Sequence, residues 1–148
     1  MDENSDAVKI SRIDLTKAIE SGDLYTIALA RFQLGLDLLG SEKLMDAEEQ
    51  WQTVLTEHLN SEDTKMRVLI GEILLVRAYV LRGKSLYNQA IEVALDADAR
   101  IAKDDYRGHA SANRLLAELY QALGDTEKSN MSRELSESYQ AKIESDEI

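Results

Sequence analysis

Three glycines recur at nearly equal intervals along the chain, and each ends a stretch of residues with helical spacing. Gly40, Gly83 and Gly124 lie 43 and 41 residues apart, with one apolar stretch before each glycine and a second one after it. A period near 40 residues with two helices in each unit is typical of stacked helical hairpins. Such hairpins bury their apolar sides against their neighbours. The sequence therefore predicts an all-α fold in the form of a right-handed helical-hairpin solenoid.

The composition favours helices throughout the chain. The 148 residues include no proline and are 44% hydrophobic, and strong helix formers such as Ala, Leu, Glu and Lys are frequent. Between short polar breaks, the apolar residues recur at steps of three and four. The breaks predict about seven helices, which cover residues 4–21, 24–39, 42–59, 66–82, 86–101, 109–123 and 126 onward.

Polar residues at the breaks predict where individual helices begin. Asn4 or Ser5 is suited to cap the first helix, because its side-chain oxygen can accept from a free backbone amide. Asp23 and Ser41 hold the same position before the second and third helices. The last helix is mostly polar and has one narrow apolar stripe, which we expect to face the core. That stripe consists of Met131, Leu135, Tyr139 and Ile143.

Composition and charge exclude several classes of function. The chain has no cysteine, so disulfides, thiolate metal sites and cysteine nucleophiles are excluded. The net charge is −11, from 28 acidic and 17 basic residues, and such a surface repels nucleic acid and anionic membranes. Residues 1–9 are acidic and polar, unlike the start of a signal peptide. We therefore expect a cytoplasmic protein that binds neither nucleic acid nor membranes.

The most apolar stretch, residues 66–81, is interrupted by charged side chains. Arg67, Glu72 and Arg77 lie within it, and Arg82 follows directly. A membrane span of this length tolerates few such charges. The stretch therefore predicts a buried helix of a soluble protein.

Few side chains indicate catalytic or metal-binding chemistry. The chain has two histidines, His58 and His109, and neither has a second ligand at metal-site spacing. His58 continues an apolar helix face, which is typical of a packed or helix-capping histidine. The acidic pairs at 96–98 and 104–105 lack the alternating oxygen ligands of a calcium loop and indicate solvated helix surface. The sequence predicts no enzyme, no metal site and no cofactor.

The third unit resembles the tetratricopeptide repeat (TPR) family. Leu116, Ala117 and Tyr120 stand eight, seven and four residues before the turn glycine, Gly124. The family has a large apolar residue, a small residue, and Tyr or Leu at these places. The resemblance implies three TPR-like units, residues 23–61, 62–107 and 108–148, with residues 1–22 as a capping helix, in a single domain of residues 1–148.

The first two units depart from the family pattern when all three are aligned on their glycines. Gln33 and Val76 then occupy the position of the small residue. Ala47 and Ala90 fit the small position of the second helix only if these turns are two residues longer than in the family.

The resemblance also implies a concave groove that binds a peptide or a helix of a protein partner. In the family, four positions of each first helix point into this groove. They imply a groove that is apolar towards its N-terminal end and carries Arg77 and Arg114 towards the other. Carried over on the glycine alignment, the groove residues are Ile27, Ala30, Leu34, Asp37, Ile70, Ile73, Arg77, Val80, Ser111, Arg114, Glu118 and Gln121.

Two alternatives to an open groove remain. The first or last helix could fill the groove from within, because so many exposed isoleucines and leucines are unfavourable in water. The same surface could also hold a homodimer together, as in a structural self-association domain. Similar arrays precede output domains in bacterial regulators, so we also expect a regulatory or sensory role within a larger signalling protein.

Overall fold

The structure is a computed structural model, and it describes residues 5–146. Within this range every regular element is an α-helix, which confirms the all-α prediction. The number of helices and most of their bounds also agree with the sequence pattern. The helices are α1 (Asp6–Ser21), α2 (Leu24–Gly40), α3 (Leu44–His58), α4 (Thr64–Gly83), α5 (Tyr87–Arg100), α6 (Tyr106–Ala122) and α7 (Thr126–Asp146).

The helices group into two compact units that divide within α4. The first unit ends at Ile70 and the second begins at Gly71. The first unit therefore contains α1, α2, α3 and the start of α4, and the second contains the rest of α4 with α5, α6 and α7. The single-domain solenoid and its division at residues 22, 61 and 107 stay predictions.

In the first unit, α2 and α3 pack closely around one tryptophan. Trp51 is fully buried, and its indole N–H donates to the carbonyl of Phe32 at 3.4 Å. The ring lies against Gly35 of α2, where an added Cβ would overlap Nε1 and lie 2.7 Å from Cε2. A side chain at position 35 would therefore displace the largest group of this core.

Two polar contacts join α1 to α2 and to the turn after it. The hydroxyl of Ser11 donates to the carboxylate of Asp37, and the hydroxyls of Ser5 and Ser41 are 3.1 Å apart. The prediction that Ser41 caps the third helix is therefore wrong. The N-cap of α3 is Lys43, which makes no side-chain cap bond. Ser5 and Asp23 do cap α1 and α2, as expected.

In the second unit, α4, α5 and α6 meet in a core of small and branched aliphatic residues. Alanines allow α4 and α5 to approach closely, and leucines of α6 fill the remaining space. The core cluster consists of Ala78, Ala90, Ile91, Ala94, Leu115, Leu116 and Leu119.

The last helix packs on α6 through serines instead of the expected apolar stripe. Met131 and Leu135 are 57% and 49% exposed, so their assignment to the core is wrong, whereas Ile143 is buried and Tyr139 half-buried. Two of the three buried serines of α7 donate their hydroxyls to backbone carbonyls of α6, which satisfies these two groups. The bonds are Ser129 to Ala117 at 2.8 Å and Ser136 to Ala110 at 2.9 Å.

The turns after α2, α4 and α6 share one hydrogen-bond pattern around a residue in the left-handed conformation. These residues are Glu42 (φ 65°), Ser85 (φ 60°) and Gly124 (φ 80°). In each turn, the next amide donates to the carbonyl five residues before it, as in a Schellman motif. The three bonds are Lys43 to Leu38, Leu86 to Leu81 and Asp125 to Tyr120, at 2.9, 3.0 and 2.9 Å.

This pattern corrects the alignment of the repeat. Gly40 and Gly83 are the last residues of α2 and α4, two positions before the left-handed residue. The first two turns are therefore not longer than the third. Aligned on Glu42, Ser85 and Gly124, the units carry buried small residues at the same two places. These are Gly35, Ala78 and Ala117 seven residues before, and Ala47, Ala90 and Ser129 five residues after.

We expect Gly35→Ala to lower the free energy of unfolding by about 1–3 kcal/mol, because the new Cβ overlaps the Trp51 indole. Urea denaturation followed by tryptophan fluorescence measures this change. Gly40→Ala is the matched control, since no atom lies within 4 Å of its added Cβ and its conformation is helical. Equal stability of the two variants would contradict the close contact.

We expect Ser136→Leu to lower the free energy of unfolding by about 0.5–1.5 kcal/mol, because it removes the hydrogen bond from this buried hydroxyl to the Ala110 carbonyl. The exposed Leu135→Ser should change the free energy by less than about 0.5 kcal/mol. Thermal unfolding followed by circular dichroism distinguishes the two. The apolar stripe predicted from the sequence requires the opposite order of effects.

Candidate functional site

The structure distributes the predicted groove residues among core, half-buried and exposed positions. Leu34, Ile70 and Ile73 are 0–2% exposed, so a partner cannot reach these three side chains. The half-buried residues are Ile27, Ala30, Asp37, Arg77 and Val80. The exposed residues are Ser111, Arg114, Glu118 and Gln121.

The register of the turns moves the groove positions that the resemblance implies in the first two units. The groove positions lie 13, 10, 6 and 3 residues before the turn residue, and the correct turn residues are Glu42 and Ser85. The groove positions that the resemblance implies in α2 and α4 therefore lie two residues further along the chain, whereas those in α6 are unchanged. None of the newly assigned side chains is buried. They are Leu29, Phe32, Leu36 and Leu39 in α2, and Glu72, Leu75, Tyr79 and Arg82 in α4.

In the second unit, the corrected positions on α4 and α6 lie side by side. The Arg82 guanidinium pairs with the carboxylate of Glu118 on α6 and lies 4.9 Å from the centre of the Tyr79 ring. Tyr79 is 40% exposed. Tyr79, Arg82, Arg114, Glu118 and Gln121 thus form one accessible surface, which we call the α4/α6 strip. It combines an aromatic ring, charges of both signs and an amide.

A depression of about 330 Å³ continues from α6 onto α7, and we call it the α6/α7 depression. Its floor is formed by the small residues Ala117 and Ser136. Its walls are long polar side chains, which can hydrogen-bond or pair with a bound molecule. They are Arg114, Glu118 and Gln121 from α6, and Arg133, Glu137 and Gln140 from α7.

A buried histidine in the second unit is engaged in structural contacts. His109 Nδ1 is 2.7 Å from the Asp98 carboxylate, and Nε2 is 3.0 Å from the Ala102 carbonyl. The Tyr139 ring stacks on the imidazole with centroids 4.9 Å apart, and Asn113 donates to Asp98. Because both ring nitrogens are occupied, neither is placed to activate a nucleophile. The network joins α5, α6 and α7.

The acidic pairs of the sequence have separate local partners. Asp96 pairs with Arg100 at 2.9 Å, and Asp105 accepts from the Gly108 amide as the cap of α6. Asp98, by contrast, belongs to the histidine network, which the spacing of the acids does not indicate. In residues 5–146, no group of three or more His, Asp or Glu side chains is placed to hold a metal ion.

In residues 5–146, the surroundings of Asp23 and Glu72 shift the pKa of these two carboxyl groups. The Thr26 hydroxyl, and then its amide, donate to Asp23 and hold the pKa of that carboxyl below its usual value. Burial raises the pKa of Glu72 in α4, and the nearby Asp105 carboxylate raises it further. Glu72 is therefore harder to ionise than an ordinary glutamate.

No protein-family model matches the chain, and no curated protein or solved structure resembles it significantly. Among the described helices, none is both long and apolar enough to cross a bilayer.

We expect Glu72→Gln to stabilise the protein at pH 7 by less than about 1 kcal/mol, since the side chain is only partly shielded from water. Below the ordinary pKa of glutamate, Glu72 is protonated in both folded and unfolded chains, so the variants should be equally stable there. As the pH rises through the raised pKa, the folded wild type loses stability that the glutamine variant keeps.

Denaturation midpoints at pH 4 and pH 7 measure this difference. Glu92→Gln on the exposed side of α5 removes the same charge and controls for the net charge of −11. An equal gain in the two variants at pH 7 would show that general charge repulsion, and not the setting of Glu72, is responsible.

Proposed function

We propose that this chain is a protein-interaction module of TPR-like hairpins that binds a peptide or a helix of a protein partner on the α4/α6 strip. The observation that carries the proposal is the placement of Tyr79 and Arg82 beside Glu118. These side chains are accessible, belong to two different helices, and are held together by an ion pair. Tyrosine and arginine are the residue types most enriched at binding hot spots.

The corrected register supports the TPR-like character of the hairpins. The small residues Gly35, Ala78 and Ala117 stand seven positions before the turn residue, where the family has a small side chain. In the family, the accessible side of the first helix is the binding side. The strip occupies that side on α4 and α6. A catalytic role gains no support, because the buried histidine is fully engaged.

Homodimer formation and a regulatory role within a larger signalling protein stay predictions. Cytoplasmic location stays a prediction as well.

The proposal is tested by panning a random-peptide phage library against the immobilised full chain. We expect enriched peptides to shift backbone NMR signals of α4 and α6, with the largest changes at residues 79–82 and 114–121. Tyr79→Ala should weaken their binding at least tenfold, which corresponds to about 1.4 kcal/mol, because it removes the aromatic side chain of the strip.

Met45→Ala is the control, since Met45 is 84% exposed on α3 and lies outside the strip. Peptides that shift signals only elsewhere, or that bind Tyr79→Ala as tightly as the wild type, would refute the strip as the binding surface.

A further inference from the structure

The two walls of the α6/α7 depression carry the same residue types at the same spacing. Each wall has an arginine, a glutamate four residues later and a glutamine three residues after that. The walls are Arg114, Glu118 and Gln121 on α6, and Arg133, Glu137 and Gln140 on α7.

The packing of α6 on α7 brings the two arginines to the same level. In an antiparallel hairpin, each step along α6 is matched by a step back along α7. Two hydroxyl–carbonyl bonds fix this register: Ser129 to Ala117 and Ser136 to Ala110. Arg114 lies between the two bonded residues of α6, and its level on α7 corresponds to residues 132–133. Arg114 and Arg133 therefore face the same depression from opposite walls.

The depression is lined by two arginines and two glutamates, Glu118 and Glu137, and Arg82 of α4 adds one further positive charge beside them. Arg82 of α4 pairs with Glu118, which leaves that carboxylate engaged. Arg133 donates to the neutral amide oxygen of Asn130 at 3.2 Å. Arg114 makes no hydrogen bond or ion pair with any residue in 5–146. Two guanidinium groups that line one small depression attract an anion placed between them.

We propose that Arg114 and Arg133 together bind the carboxylate of an acidic side chain on a peptide, which rests on the proposed function for the kind of partner. A guanidinium group donates two parallel hydrogen bonds to a carboxylate, and two such groups surround one carboxylate from both sides. Glu137, one turn from Arg133, repels additional negative charge. This arrangement favours a singly charged carboxylate over a doubly charged phosphoryl group.

The glutamines at the ends of the walls suit the rest of such a peptide. Gln121 and Gln140 are exposed, and their amides both donate and accept hydrogen bonds. An extended peptide segment presents backbone N–H and C=O groups that need such partners.

The test uses the full chain and three capped tripeptides, Ac-Ala-Glu-Ala-NH2, Ac-Ala-Gln-Ala-NH2 and Ac-Ala-phosphoSer-Ala-NH2. NMR signals of the arginine Nε–H groups are followed at constant low ionic strength. We expect the glutamate peptide to shift the signals of both arginines and the glutamine peptide to shift neither. Raising the salt concentration should weaken the effect, since exposed ion pairs are screened.

The double variant Arg114→Gln/Arg133→Gln should weaken binding of the glutamate peptide at least tenfold, while Arg114→Lys/Arg133→Lys keeps an intermediate affinity. Arg12→Gln, at an exposed position of α1, should bind like the wild type. Circular dichroism and the unfolding midpoint verify that the double variants fold. If the double glutamine variant does not fold, the single variants Arg114→Gln and Arg133→Gln replace it. Each should then show weaker binding of the glutamate peptide than the wild type.

Equal shifts with the glutamate and glutamine peptides would overturn the inference, as would larger shifts with the phosphoserine peptide. Panned peptides that shift the signals of residues 79–82 and bind Arg133→Gln as tightly as the wild type, together with no response to the glutamate tripeptide, would refute the arginine site and leave the proposed function standing. Binding of the glutamate tripeptide that Arg133→Gln weakens, with no panned peptide shifting residues 79–82, would do the reverse.

Discussion

Close approach between helices is the constraint on which the rest of this structure depends. Small residues stand at the contact points: Gly35 against Trp51 in the first unit, and alanines between α4 and α5 in the second. Where two helix backbones lie close together, larger side chains have no room between them. The small residues that do fit make dispersion contacts with many neighbouring atoms. Between α6 and α7 the same closeness is achieved with serines, whose hydroxyls donate to backbone carbonyls. Serines can thus line a close helix contact when their hydroxyls find backbone acceptors, as those of Ser129 and Ser136 do.

The close packing also decides which side chains remain exposed. Once the small residues turn inward, the positions between them on α4 and α6 turn outward, and these carry Tyr79, Arg82 and Glu118. The accessible surface of the second unit is therefore rich in polar and aromatic groups. Within the same unit, the histidine network fastens α5, α6 and α7 through Asp98 and Tyr139. Side chains carried by helices that are fixed in this way keep their relative positions.

The sequence predicted the local elements well and the faces of the helices less well. All seven helices follow from periodicity and polar breaks, because these signals depend on residues close together in the chain. The alignment of the units failed at Gly40 and Gly83, because glycine is the expected residue in the left-handed conformation. Glu42 and Ser85 adopt that conformation instead. The small residues seven positions before each turn carried the missing signal, because Gly35, Ala78 and Ala117 align with the observed turns.

By itself, the sequence determined that this protein is all-helical, how many helices residues 5–146 form and most of their bounds, and that the chain is strongly acidic. These properties follow from propensity, spacing and composition, which act within a few residues. Only the tertiary structure decided that serines of α7 are buried, whereas Met131 and Leu135 of the same helix are exposed. It also decided that Arg82 meets Glu118 across 36 residues of chain. The reason is that a side chain's surroundings depend on which helices pack against it and at what distance, and no local pattern contains that information.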